Sequence, residues 1–169
     1  HSPYMLCQKS VRSNVLLGRK VHYGKLKETE VISVQDDNWM EPFSNILGLN
    51  NAEFSPWKDV LLSGKQCVLM VEGSIDRQYF EHIHGLDFPE LTLPKGVDIV
   101  PYEGKDALKN AILLKFIVDK FQKVFITFDS DAKGELERTM LQIGLIEGTD
   151  FLSIGINRPG KQCIEGLLP

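Results

Sequence analysis

The sequence predicts an α/β protein: a parallel sheet of about four strands with crossover helices, preceded by a small β-hairpin and helical segment. Two observations carry this. From residue 66 onward, short apolar runs alternate four times with segments of helical periodicity, and strands alternating with helices build parallel βαβ units. Before that point the rhythm is absent, and Asp, Asn and Pro punctuate the chain as turn formers do.

Residues 14–34, NVLLGRKVHYGKLKETEVISV, are two alternating β-branched and apolar runs flanking Gly24, a hairpin pattern. Residues 36–66 carry Asp36, Asp37, Asn38, Pro42, Asn50, Asn51 and Pro56, which reads as turns with one or two short helices. QCVLMVEG (66–73) is an apolar run closed by Gly, a buried-strand signal. In SIDRQYFEHIHG, Ile75, Tyr79, Phe80 and Ile83 recur at helical spacing before Gly85. VDIVP (97–101) is the second strand and KDALKNAILLKFIVDKF (105–121) one long helix. KVFITFDSD (123–131) is the third strand, AKGELERTMLQIG (132–144) the next helix and FLSIGI (151–156) the fourth strand. The expected division is an N-terminal segment, 1–62, and an α/β domain, 63–169.

Bulk properties narrow the function. The chain of 169 residues is 43% apolar and 25% charged, the profile of a globular domain. No run approaches the ~18 apolar residues of a membrane span, and the N-terminus lacks the pattern of a signal peptide. Cys7, Cys67 and Cys163 are odd in number and far apart, so disulfides and a cysteine zinc site are disfavoured and a cytoplasmic setting is expected. A net charge of -4 argues against a general nucleic-acid glue. Yet residues 1–27 hold Lys9, Arg12, Arg19, Lys20, Lys25 and Lys27 and no acid; this is either a solvated surface or a phosphate-facing flank. The start at His1 and the end at Pro169, directly after the Ile164–Leu168 stretch, read as the cut ends of a longer protein.

Chemistry concentrates at strand ends, where parallel sheets place their sites. Glu72 follows VLMV, and Asp129 and Asp131 follow VFITF. Gly73 would let the backbone turn without a Cβ in the way, and Asp76, in the first turn of the next helix, could fold back toward Glu72. Four carboxylates on neighbouring strand tips repel unless a cation neutralises them, and hard oxygen donors favour Mg2+ or Mn2+. With no His or Cys among them, zinc is disfavoured. Each motif also has a simpler meaning: Glu-Gly as a turn, Asp-x-Asp as a helix cap with an Asx-turn. An EF-hand is rejected, because Lys133 and Met140 stand where its loop needs ligands.

These residues resemble the TOPRIM domain of topoisomerases, bacterial primases, ribonuclease-maturation enzymes and OLD-family (overcoming lysogenization defect) nucleases, over roughly residues 65–169. VLMVEGSID and VFITFDSD stand for its Glu-Gly and Asp-x-Asp strands, and the resemblance implies a TOPRIM-like sheet. Within that group the chain is most similar to an OLD-family ATP-dependent endonuclease: VEGSIDRQYFEHI resembles its first motif and PGKQCIEGLLP its closing one. The resemblance implies a metal site of Glu72, Asp76, Asp129 and Asp131, with Lys161 stabilising phosphate charge and Glu165 and Glu135 as supporting acids. HSPYML resembles the switch-histidine segment of an ABC-type ATPase domain. That implies His1 as an ATP-sensing residue and residues 1–62 as the tail of an ATPase domain plus linker. DNA is the implied substrate, the rest of the ATPase domain and further copies of the chain the implied partners, and phage defence the family-level role. Walker motifs are absent, so ATP would act only through the missing domain. Tyr79 and Tyr102 read as helix-core and loop residues, leaving water as the nucleophile. Alternatives stay open: a TOPRIM ribonuclease of the rRNA-maturation type, a non-catalytic TOPRIM assembly or regulatory module, and a receiver-like phosphoacceptor domain.

Overall fold

The computed structural model describes residues 15–32, 41, 44, 52, 55–86 and 88–167. His1, Cys7 and most of residues 33–54 lie outside them, so the expectations for the switch histidine and the connecting turns and helices fall there too. The chain divides into two compact units, 1–58 and 59–169.

In the first unit, β1 (Leu16–His22) and β2 (Lys25–Ile32) pair antiparallel. Tyr23 and Gly24 turn the hairpin with φ of 51° and 72°, the left-handed pair whose twist matches its strands. Leu17 faces Val31 and Val21 faces Leu26 across the ladder, and all four side chains are exposed.

The second unit carries the sheet. α1 (Lys58–Leu62) precedes β3 (Cys67–Val71); α2 (Ser74–His84) leads to β4 (Val97–Pro101). α3 (Ala111–Asp119) leads to β5 (Lys123–Asp129), and α4 (Lys133–Gln142) to β6 (Phe151–Ile154). The order is β4-β3-β5-β6 and every pairing is parallel. The central strands are largely apolar, as is usual in parallel sheets: Val68, Leu69, Met70 and Val71 are buried in β3, and Ile126, Thr127 and Phe128 in β5. Helix stripes complete the core with Leu113, Leu114 and Ile117 from α3 and Leu136 and Met140 from α4.

The winding direction decides where a site can form. From β3 the chain passes through α2 to β4 on one side. It then crosses back to lay β5 against the other side of β3, and α4 carries it outward to β6. The direction therefore reverses between β3 and β5, and a crevice opens at their carboxyl ends.

Two expectations need correction. The segment 105–121 is not one helix: Lys105–Lys109 forms a 3-10 turn, and α3 starts after Asn110. Asn110 has extended backbone, and its Oδ1 accepts the Leu113 N–H at 3.1 Å, a capping bond that competes with helix continuation. In α2, Phe80 packs on the Leu69, Val71 and Ile99 cluster as its spacing predicts, but Ile75 is 53% exposed. The first turn of α2 extends past the apolar surface, beside the strand tips.

Candidate functional site

The reversal point brings the two acidic motifs together. Glu72 follows the last residue of β3 and Asp129 ends β5, strands that are direct neighbours. The Glu72 Oε2 atom accepts the backbone N–H of Asp129 at 3.4 Å. In α2, the Asp76 Oδ2 atom accepts the Gly73 N–H at 3.0 Å, the half of a capping box in which the third helical residue reaches back. Gly73 itself is extended, with φ of -145°, so its conformation does not demand glycine, contrary to the expectation of a special turn. A Cβ there would sit 3.6 Å from Asp76 Oδ2, an ordinary contact.

Electrostatics reveal a cluster. Asp129 is pushed up to about 7, first by burial and then by Glu72, Asp76, Asp131 and Glu165. Asp76 is also raised, by burial and, against the Gly73 bond, by Glu165. The acids thus feel one another through a partly desolvated space where like charges are costly. Glu165, exposed at the head of a 3-10 turn (Glu165–Leu167), belongs to this neighbourhood. Asp131 sits on its exposed side, in the 3-10 turn Ser130–Ala132, 3.8 Å from Lys105 Nζ. Among the described residues no group of three or more His, Cys, Asp or Glu side chains stands as a ready-made metal cage. The acids are linked by charge, and their oxygen-only donor set suits a hard divalent cation that would draw them together.

The closing segment folds back onto the site. Ser130 donates to the Gln162 carbonyl through both its N–H (2.9 Å) and its Oγ (3.1 Å). Gly155 has φ of +114°, and a Cβ on it would meet the Gln162 carbonyl carbon at 2.5 Å. Only glycine allows that approach. Lys161 precedes Gln162 and is exposed. Glu135 is occupied elsewhere, 2.6 Å from Lys109.

Further residues gain roles that the sequence did not signal. Tyr102 lies in the loop just after β4, as expected, but it is wholly buried there, and its hydroxyl donates to the Thr127 carbonyl at 2.8 Å. Burial, followed by Glu72, Asp76 and Asp129, holds that phenol far above its ordinary value. Thr127 Oγ1 in turn donates to the Met70 carbonyl at 3.2 Å, so β4, β3 and β5 are cross-tied just below the acids. Lys105 and Lys109, four residues apart, meet Asp131 and Glu135, also four apart. That matched spacing was visible in the sequence, but which pairs meet was not. Tyr79 is half-buried on α2, and Cys67 and Cys163 are free thiols.

Comparison with known protein families, with curated proteins and with solved structures finds no match to this chain. Among the described residues no helix is long and apolar enough to cross a membrane.

Proposed function

We propose that residues 63–169 form a TOPRIM-type, divalent-metal-dependent endonuclease module that hydrolyses DNA phosphodiesters within an ATP-regulated protein of the OLD kind. The observation that carries this reading is the meeting of Glu72 and Asp129 at the reversal point of a parallel sheet, joined by the 3.4 Å bond. Asp76 and Asp131 add to the same charge cluster.

Glu72, Asp76, Asp129 and Asp131 would hold one or two Mg2+ or Mn2+ ions. When bound, such an ion activates water and neutralises charge on the leaving oxygen. The chain's own groups do the rest. The bond from Asp129 N–H restrains the Glu72 carboxylate, so Glu72 is the group assigned to take the proton from the attacking water. Lys161 is assigned to the charge that develops on the phosphate. It stands in the loop that Ser130 ties beside Asp129. A tyrosine nucleophile is disfavoured, since the Tyr102 hydroxyl is buried and already donating.

Nicking of supercoiled plasmid in Mg2+ or Mn2+ tests this. Glu72→Ala and Asp129→Ala are each expected to slow cleavage by at least about a hundredfold, since changing only the outer-shell partners of a metal's ligands already costs about 10–100-fold. Unchanged activity in both variants would sink the reading. Preference for structured RNA over duplex DNA would instead favour the ribonuclease alternative, and absence of Mg2+ or Mn2+ binding in calorimetry the non-catalytic one.

A further inference from the structure

The acid cluster carries a cation at its edge. The Lys105 ammonium stands 3.8 Å from Asp131. Its position is set by backbone. Residues 103 and 104 both have positive φ, 59° and 105°, which turns the chain sharply after β4. The Gly104 N–H then donates to the Glu72 carbonyl at 3.0 Å. Lys105 is the next residue, so its stem starts one peptide from a bond to Glu72 itself. Lys109 is held differently: its ammonium lies 2.6 Å from both Asp106 and Glu135.

We propose that Lys105 is a substrate-binding residue that contacts a DNA phosphate, and that it holds the place of the divalent cation at Asp131 until that cation arrives. This rests on the nuclease reading above. A divalent cation on Asp131 would compete with the Lys105 ammonium for the charge of one carboxylate and repel it, which weakens the ammonium's hold there. An ion bound at Asp131 therefore frees the Lys105 ammonium. At 40% exposure, on a flexible stem, that ammonium can turn outward to a phosphate beside the acids. Lys161 approaches from the loop anchored at Ser130. The backbone of the substrate is then gripped from the β4 side by Lys105 and from the β6 side by Lys161.

The two halves of this role predict opposite changes in one variant. In Lys105→Ala the competitor for Asp131 is gone, so Mn2+ affinity measured by calorimetry rises about two- to fivefold, the range of a single exposed ion pair. DNA affinity falls, and the slope of log K against log salt for a short fluorescent duplex becomes shallower by about one, the signature of one lost phosphate contact. In plasmid cleavage KM rises by about tenfold while kcat changes little, as for a group that binds ground and transition states alike. Lys105→Arg restores the salt slope, and Lys109→Ala leaves Mn2+ affinity unchanged. Unaltered Mn2+ affinity together with an unaltered salt slope in Lys105→Ala overturns the proposal, even where the parent protein cleaves DNA normally. Conversely, both shifts in Lys105→Ala alongside a parent protein that never cleaves DNA overturn the nuclease reading and leave the role of Lys105 standing on its two titrations.

Discussion

Asp129→Asn should make the metal-free protein more stable, and only above mildly acidic pH. The wild-type carboxyl is raised from 3.8 to about 7 by burial and by Glu72, Asp76, Asp131 and Glu165. A folded-state value above the unfolded one means that the native protein holds more protons than the unfolded chain between those two pH values. Stability therefore falls as pH rises through that window, and above about 7 the whole cost of ionising Asp129 is present. Taken at full strength, such a displacement is worth about 4 kcal/mol. The carboxyl is only half-buried, so solvent screening reduces the effect to about 1–2 kcal/mol. The neutral amide keeps the shape and the backbone N–H bonded to Glu72 while removing the charge. Urea unfolding with EDTA present should show the Asp129→Asn variant gaining that amount at pH 8 and almost nothing at pH 4. Millimolar Mg2+ should close the gap at pH 8 by stabilising the wild type, because a ligand that binds only the native state adds to its stability. Equal or lower stability of the variant at pH 8, or a gain independent of pH, would refute the reasoning that these acids share one desolvated space.

Two further outcomes follow from the same geometry. Tyr102→Phe removes a buried hydroxyl and orphans part of the hydrogen bonding at the Thr127 carbonyl, so urea unfolding should show a loss of about 1–2 kcal/mol; fluorescence-detected Mn2+ titration should weaken too, since the tie lies just below the acids. Gly155→Ala meets the Gln162 backbone at 2.5 Å with φ of +114° and should cost at least about 2 kcal/mol in thermal unfolding, whereas Gly73→Ala, extended and with its nearest atom at 3.6 Å, should cost under about 1 kcal/mol.

Much of the site was legible because strands of a parallel sheet are short, apolar and abruptly ended. VLMV before Glu72 and VFITF before Asp129 could be placed by local pattern, since burial on both faces leaves little room for polar residues inside them. Asn110 was legible in principle: an Asn directly before an apolar run is a capping signal, yet the helical spacing on either side outweighed it. Ile75 misled for a related reason. Periodicity reports which face a residue occupies, but it does not report where along the helix the partner surface ends.

The sequence by itself determined the class of fold, the hairpin, the four strands and the acids at their tips, because each depends on residues close together in the chain. Only the tertiary structure decided that β3 and β5 are neighbours with the winding reversed between them. The same is true of the Tyr102 tie to Thr127 across the sheet and of Lys105, rather than a residue of the acidic motifs' own strands, as the cation at Asp131. These are contacts between segments far apart in sequence, set by the order in which strands pack. Strand order is a property of the whole core, and no local pattern encodes it.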